Sequence, residues 1–283
     1  MNKEKLIQDV LSSDAFVISP LVGGMMNESY IVSSQGKKYV LYISTEQANE
    51  MVDRLLEKEN QLLVNSLGIT SKNVYFDIEK GIKINEFIEG SSLDKISTYD
   101  LKKVAKLMHV LHDSHKLSRE DYHPFKRFVS YEDEAKSFQE QEKDYLELRD
   151  ILFKNKDYLE SQKMVCCHND AQKSNIVKSI NDKYFLIDFE FMGNNDLIYD
   201  IATFGNGTVE EGFALLNEYV PNPSSDLKKR YYLWRIFISL QWYNVALVKH
   251  YRGEGKIHNF NFLSVAAFFL DNAKTAYKYL SKM

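Results

Sequence analysis

The pattern of apolar and polar residues changes near Gly90. Before it, short apolar segments are separated by turn residues, which predicts strands. These strands are residues 21–32, taken as two strands joined by a Gly23-Gly24 turn, and residues 37–43, 74–78 and 82–88. Residues 2–13 and 48–66 have helical spacing instead. The pattern therefore predicts a five-stranded antiparallel sheet with one helix inserted between its third and fourth strands.

After Gly90, helical spacing dominates. The predicted helices are residues 98–115, one or two helices within 130–160, and residues 225–251 and 259–281. Short strands are expected at residues 164–167, 175–178 and 184–187. The sequence thus predicts an α+β fold with two lobes. A small antiparallel β-rich N-lobe covers residues 1–86, and a larger, mainly helical C-lobe covers residues 87–283.

Composition narrows the classes of function. The 283 residues carry 36 basic and 40 acidic side chains, a net charge of −4. No basic face of the kind that nucleic-acid binding needs is evident. The longest apolar run, residues 265–270, is too short to span a bilayer. The adjacent Cys166 and Cys167 do not resemble a disulfide framework. We therefore expect a cytoplasmic protein with no nucleic-acid partner and no membrane insertion.

Three oxygen-bearing side chains have the spacing that phosphoryl transfer requires. Asp170 and Asn175 stand five residues apart after one predicted strand, and Asp188 comes at the end of the next hairpin. Kinase sites use such an Asp as base and such an Asn and Asp as Mg²⁺ ligands. The motif therefore predicts a Mg·ATP-dependent kinase. Glu190, on the same face as Asp188, is either a second metal ligand or part of an ion pair.

Two segments around these residues resemble the signatures of the choline/ethanolamine kinase family. They are His168-Asn169-Asp170-x-Gln172-x-x-Asn175 and Ile187-Asp188-Phe189-Glu190-Phe191, the second followed by Asn195 and Asp200. Gly23-Gly24-Met25-x-Asn27 and Asn85-Glu86-Phe87-Ile88-Glu89-Gly90 also fit, so the resemblance covers most of the chain. It implies a protein-kinase-like two-lobed fold and ATP as phosphate donor. It also implies Asp170 as catalytic base and Asn175 and Asp188 as Mg²⁺ ligands.

The nucleotide is expected at two backbone segments. The Gly23-Gly24 turn would cover the phosphates, with Asn27 offering side-chain hydrogen bonds there. The adenine is expected against the backbone of the hinge between the lobes. The hinge residues assigned to it are Glu86, Phe87 and Ile88.

One part of a kinase site is missing from the sequence pattern. A Lys on the third strand normally contacts the α- and β-phosphates and pairs with a Glu on the following helix. Tyr42 occupies that place here. Lys38 shares its face but lies about 13 Å away at the usual strand rise. The substitutes considered are Arg54 or Lys58, with Glu57 or Glu59 as partner.

The acceptor site is expected to be aromatic, because a quaternary ammonium is recognised by ring faces and a nearby carboxylate. The aromatic residues of helix 225–251 include Tyr231, Tyr232, Trp234, Phe237, Trp242 and Tyr243, and core packing is the alternative role of each. Trp242 resembles the first Trp of a Trp-x-x-Trp pair in choline kinases, although Val245 stands at the second position. Phe191 resembles an aromatic that the family places near the substrate. The residues assigned to acceptor binding are Gln172, Glu190, Phe191 and Trp242.

The sequence therefore predicts a small-molecule kinase that transfers the γ-phosphate of ATP to the hydroxyl of choline or a related amino alcohol. A kinase for ethanolamine, thiamine or an aminoglycoside is the first alternative. A kinase-fold ATP-binding protein with weak catalysis is the second, because of Tyr42. A protein kinase is disfavoured, since no activation segment of the usual kind fits after Asp188.

Overall fold

The chain divides into two compact units in a computed structural model that describes residues 2–21, 27–255 and 260–283. The first unit comprises Met1–Tyr99, Lys116–Glu120 and Lys173–Gly193, and the second comprises Asp100–His115, Asp121–Gln172 and Asn194–Met283. The two lobes expected from the sequence, residues 1–86 and 87–283, stay a prediction.

Among its described residues, the first unit contains two antiparallel sheets and three α-helices, and the element labels follow chain order over both units. Its strands are β1 (Phe16–Leu21), β2 (Asn27–Ser34), β3 (Lys37–Ser44), β4 (Asn73–Asp77), β5 (Ile82–Glu86), β6 (Gly90–Ser92), β8 (Ile176–Ser179) and β9 (Tyr184–Leu186). Its helices are α1 (Lys3–Val10), α2 (Glu46–Met51) and α3 (Arg54–Leu67). The five-stranded sheet has the order β1-β2-β3-β5-β4, and β6, β8 and β9 form the smaller one. This confirms the predicted five-stranded antiparallel sheet, but the first strand was wrongly placed within residues 21–32, because β1 ends at Leu21.

Alternation along β5 separates the core of the first unit from its polar face. Ile82 and Ile84 point into a cluster of buried apolar residues, whose other members are Ile7, Ala15, Val32 and Leu41. Lys83 lies between them and therefore points to the opposite face of the sheet. Tyr42 of β3 is its direct cross-strand partner. These two side chains are thus neighbours on one face.

The predicted helix over residues 48–66 is two helices. Asp53 separates them, because its carboxylate accepts two backbone N–H groups in the first turn of α3. Gly68 ends α3 with a φ of +69°, a conformation that glycine adopts without strain. The buried face of α3 is mostly polar, and its members are Arg54, Glu57, Asn60, Gln61 and Val64. A helix that buries charged residues must pair them within the fold.

The second unit is mainly helical. Its helices are α4 (Leu101–His112), α5 (Pro124–Phe138), α6 (Lys143–Lys154), α7 (Lys156–Glu160), α8 (Leu197–Phe204), α9 (Val209–Tyr219), α10 (Ser225–Tyr251) and α11 (Phe262–Leu280). Strand β7 (Met164–Cys167) pairs with β10 (Gly193–Asp196), whose last three residues belong to this unit. Helix α10 has the predicted bounds, whereas the region 130–160 contains parts of three helices rather than one or two.

Aromatic residues of α10 fill the core of the second unit. Trp234 and Phe237 pack against Phe125, Phe128 and Tyr199 with ring centroids 5.0–6.2 Å apart. Such edge-to-face contacts add to the large apolar area that each ring buries. Trp234 and Phe237 therefore hold α10 against α5 and α8.

Within the described ranges, no helix has both the length and the apolar character required to cross a membrane.

Candidate active site

The loop that carries Asp170 is fixed to α8 by a buried carboxylate. Asp200, 1% exposed, accepts the backbone N–H groups of His168 at 2.8 Å and Asn169 at 2.7 Å. It also bonds His112 Nε2 at 3.0 Å, while His112 Nδ1 bonds the Tyr219 hydroxyl at 2.9 Å. Both ring nitrogens of His112 therefore serve this network. The loop follows β7 directly, and these bonds set its path.

The Asp170 carboxylate is oriented by its own neighbours. The backbone N–H of Asp170 donates to His168 Nδ1 at 3.2 Å, and Gln172 Nε2 donates to Asp170 Oδ2 at 3.2 Å. Asn169 has a φ of +62°, which Asn tolerates better than most residues. The Asn169 amide is itself held, because Asn195 Nδ2 donates to its Oδ1 at 2.9 Å. Gln172, assigned to the acceptor from sequence, thus contacts the predicted base.

Two tyrosines lie near Asp170 in the second unit, and the sequence pattern did not select them. Tyr122 and Tyr199 are buried, with ring centroids 5.5 Å apart. Burial raises the pKa of both phenols, and the charge of Asp170 raises each further. Arg127 lies 4.8 Å from the Tyr122 ring centroid. Neither tyrosine belongs to a motif, so their proximity to Asp170 follows only from the fold.

The backbone of the β8–β9 hairpin brings the predicted metal ligands Asn175 and Asp188 to the same end of the hairpin in the first unit. Asn175 ends a short 3₁₀ helix, Lys173–Asn175, and its carbonyl accepts the N–H of Ile187 at 3.0 Å. The β8–β9 ladder fixes this register, because Ile176 pairs with Leu186. Asp188 follows with a φ of +66°, a conformation in which Asp is enriched. The hairpin thus brings the amide and the carboxylate to one end.

Lys83 completes an ion-pair cluster with Asp188 that the sequence analysis missed. Its Nζ lies 2.7 Å from Glu57 Oε1 and 3.4 Å from Asp188 Oδ1. Arg54 Nη1 lies 2.6 Å from the other oxygen of Glu57. Burial lowers the pKa of Lys83 because it disfavours the charged form. The nearby carboxylates of Glu57, Asp188 and Glu190 have the larger, opposite effect, so the pKa of Lys83 is raised. Burial also opposes the charge of Glu57, whose pKa is nevertheless lowered by Lys83 and Arg54.

The residues that the sequence suggested as substitutes for the missing lysine and as its partner differ in whether they reach this cluster. Arg54 does reach Glu57, as considered, although Lys83 pairs with the same carboxylate. Lys38 pairs with Glu89 at 2.8 Å, and Glu59 pairs with Arg119 at 3.2 Å. Lys38 and Glu59 therefore stand outside the cluster. A signal for Lys83 was present in the sequence, since it is a lone charge between apolar residues of a strand.

Glu190 adds a third carboxylate to the first-unit site. Its Oε2 accepts from Asn27 Nδ2 at 3.4 Å, and Asn27 Oδ1 accepts from the Ser44 hydroxyl at 3.0 Å. Burial, and then the charge of Asp188, raises the pKa of Glu190 to about 8. Carboxylates crowded together in this way are stabilised by a cation. Oxygen donors from Asn175, Asp188 and Glu190 therefore fit a Mg²⁺ ion.

The segment assigned to adenine lies at the end of β5. The N–H of Glu86 donates to the Lys72 carbonyl at 2.8 Å, and that of Phe87 donates to the Lys38 carbonyl at 3.0 Å. These bonds tie the segment to β3 and to the residues before β4. Ile88 follows directly. Gly23 and Gly24, assigned to the phosphates, lie outside the described residues.

The aromatic candidates for the acceptor divide into core and surface residues. Five of the six on α10 are buried: Tyr231, Tyr232, Trp234, Phe237 and Tyr243. Trp242 is half-buried and stacks on Phe269, with centroids 5.7 Å apart and planes at 14°. Phe191, in the first unit, is also half-buried. Trp242 is therefore the member of the α10 set with ring surface left for a ligand.

Comparisons with known proteins show the family to which the chain is related. A family model described as choline/ethanolamine kinase matches residues 18–229. Protein LicA of Haemophilus influenzae is 25% identical over 189 residues, which are 64% of this chain but only 56% of that protein. The match thus spans little more than half the length of this curated relative.

Solved structures cover the chain more fully. The crystal structure of choline kinase LicA from Streptococcus pneumoniae has a TM-score of 0.75 and 25% identity, and the match covers 100% of both chains. The crystal structure of LicA in complex with AMP has a TM-score of 0.75 and 26% identity, over 99% of this chain and 96% of that one. These likenesses confirm the predicted protein-kinase-like α+β fold and the resemblance to choline/ethanolamine kinases.

Proposed function

The chain belongs to the choline/ethanolamine kinase family, and from this membership we propose that it transfers the γ-phosphate of ATP to the hydroxyl of choline or a related amino alcohol. One observation carries the proposal beyond the family match. The hairpin β8–β9 brings Asn175 and Asp188 to its same end, and Glu190 adds a carboxylate whose pKa is raised to about 8 by burial and by Asp188. That donor set suits a divalent cation with bound triphosphate.

In the proposed reaction, Asp170 acts on the acceptor. Its carboxylate orients the attacking hydroxyl and accepts the proton late in a loose transition state. Gln172 donates to one carboxylate oxygen at 3.2 Å, which holds the carboxylate in one rotamer. Asp200 keeps the loop itself in place through two backbone N–H groups. Most of the acceleration would then come from alignment and from neutralisation of charge.

In the first unit, Asn175 and Asp188 would hold Mg²⁺, with Glu190 bound to it directly or through water. When held there by these residues, the ion would supply positive charge that neutralises the phosphates. The Gly23-Gly24 turn and Asn27 would lie over the phosphates. The backbone of Glu86, Phe87 and Ile88 would hold the adenine.

The acceptor would be recognised by aromatic faces and a carboxylate, because a quaternary ammonium has no N–H to donate. Trp242 has exposed ring surface on α10, and Phe191 is the first-unit candidate. Glu190 is a mostly buried carboxylate, and its pKa is raised by burial and then by the charge of Asp188, although Lys83 and Arg54 oppose the rise. Trp242, Phe191, Glu190 and Gln172 remain the residues that we assign to the acceptor.

A panel of acceptors tests the proposal. The protein is incubated with ATP, Mg²⁺ and one of choline, ethanolamine, thiamine or an aminoglycoside, and the products are identified by mass spectrometry. We expect phosphocholine, formed faster than any other phosphorylated product. A faster reaction with thiamine or the aminoglycoside would contradict the proposal that the acceptor is choline or a related amino alcohol. ATP binding without any phosphorylated product would overturn the catalytic function.

A further inference from the structure

The cross-strand pair of Tyr42 and Lys83 offers a replacement for the lysine that is absent from β3. Tyr42 stands on β3 where a kinase has its lysine, and Lys83 is its register partner on β5. Directly opposite residues on one face have Cβ atoms about 5 Å apart. A four-carbon side chain from β5 therefore reaches the region that one from β3 would reach.

The contacts of Lys83 are those of a nucleotide-binding lysine. Its ammonium bonds Glu57 of α3 at 2.7 Å and lies 3.4 Å from Asp188, the proposed metal ligand. The Tyr42 ring lies beneath it, with the centroid 4.9 Å from Nζ. Kinases use a lysine–glutamate pair of this kind to place the lysine on the α- and β-phosphates.

A role in folding alone does not account for Lys83. Glu57 already has a cationic partner, because Arg54 contacts its other oxygen at 2.6 Å. The Lys83 side chain is only 5% exposed, and burial of a second ammonium on the same carboxylate is costly. An ammonium has three N–H donors, of which Glu57 and Asp188 account for two. The third suits a phosphate oxygen.

We propose that Lys83 is the lysine that binds the nucleotide phosphates, supplied from β5 instead of β3, with Tyr42 as the aromatic surface that supports it. This assignment rests on the proposed function, since it presumes that ATP binds at Asp188. It removes the reason for considering a catalytically weak ATP-binding protein, because the site has a cation after all.

Calorimetric titration of Lys83→Met with ATP and with adenosine tests the assignment. Loss of a charged hydrogen bond should weaken ATP binding roughly 10- to 100-fold. Adenosine affinity should stay unchanged, since adenosine has no phosphate. Lys80→Met is the matched control: its lysine lies near β5 but is 66% exposed and pairs with Asp77. ATP affinity in Lys83→Met equal to that of Lys80→Met would overturn the assignment.

A transposed variant separates the phosphate contact from a loss of stability. The double change Tyr42→Lys with Lys83→Tyr returns the lysine to β3 and keeps both side chains in the same cross-strand pair. We expect it to bind ATP more tightly than Lys83→Met and to regain phosphoryl transfer. ATP affinity as low as that of Lys83→Met in a folded transposed variant would contradict the account.

Affinity labelling uses the wild-type protein, so its result does not depend on whether a variant folds. The probe is 5′-fluorosulfonylbenzoyl adenosine, whose sulfonyl group forms an S–N bond to a lysine amine as fluoride and a proton leave. Peptide mass spectrometry should find the adduct on Lys83, and ATP should suppress it. Labelling of another lysine in an ATP-sensitive way would assign the phosphate contact elsewhere. Failure of the wild-type protein to bind ATP would instead refute the proposed function itself.

Discussion

The hydrogen bonds of the Asp200 carboxylate predict how a single substitution changes the stability of the protein. Asp200 Oδ2 accepts from His168 N–H at 2.8 Å and contacts His112 Nε2 at 3.0 Å, and Asp200 Oδ1 accepts from Asn169 N–H at 2.7 Å. Asp200→Asn replaces one of these oxygens with an NH₂ group. In either orientation of the amide, at least one buried backbone N–H loses its acceptor.

The magnitude follows from that count. One unsatisfied buried N–H costs about 1–3 kcal/mol. We therefore expect Asp200→Asn to lower the free energy of unfolding by about 1–3 kcal/mol, seen in urea unfolding as a lower midpoint at an unchanged m-value. The turnover number should also fall, since Asp170 follows Asn169 directly. ATP affinity should not change, because the nucleotide residues proposed above lie in the first unit.

Asp133→Asn provides the matched control for the same chemical change. Asp133 is exposed on α5, so its substitution should alter stability by no more than about 0.5 kcal/mol. If Asp200→Asn has the same urea midpoint and turnover number as Asp133→Asn, the loop is not held by this carboxylate.

Three further substitutions test other parts of the site. Asp188→Ala should weaken binding of ATP in the presence of Mg²⁺ but not binding of adenosine, as calorimetry would show; unchanged ATP affinity would exclude Asp188 as a metal ligand. Trp242→Ala should raise the KM for choline roughly 2- to 30-fold with little change for ATP, and an unchanged choline KM would remove Trp242 from the acceptor site. Glu57→Gln should lower the free energy of unfolding by about 3–5 kcal/mol at neutral pH, because its two buried cations lose their shared carboxylate. Burial alone would raise the pKa of Glu57, but these two cations hold it below its usual value of 4.5. The stability that the ionised Glu57 contributes is therefore fully present above pH 4.5 and is lost as the pH falls through the lower pKa of the folded state. Urea midpoints against pH, with the exposed Glu59→Gln as control, should show the difference shrinking in acid, and a pH-independent difference would contradict the ion-pair explanation.

Local patterns predicted the parts of the fold that depend on local sequence. Strands β2–β5 and the bounds of α10 follow from spacing within single segments, whereas β1 lies earlier in the chain than the predicted first strand. The division of residues 48–66 into α2 and α3 was not predicted, although Asp53 is a good N-cap residue and marks the start of α3. Spacing of apolar residues alone does not show where one helix ends and the next begins.

Lys83 shows why the site was only partly predictable. Asn175 and Asp188 could be found because they stand in one short segment with a known spacing. Lys83 reaches the site only through the register between β3 and β5, which α2, α3 and β4 separate along the chain. No local pattern reports which residue of β5 lies opposite Tyr42. The tyrosines near Asp170 were missed for the same reason.

The most direct test of the central claim follows a radiolabelled γ-phosphate from ATP through a single turnover with choline and Mg²⁺. In the wild-type protein the label should move to choline. In Asp170→Asn, transfer should slow by about 10²- to 10⁴-fold, the usual contribution of a positioned base, while ATP affinity stays the same. Transfer at the wild-type rate in Asp170→Asn, or label that never reaches choline in the wild-type protein, would contradict the claim.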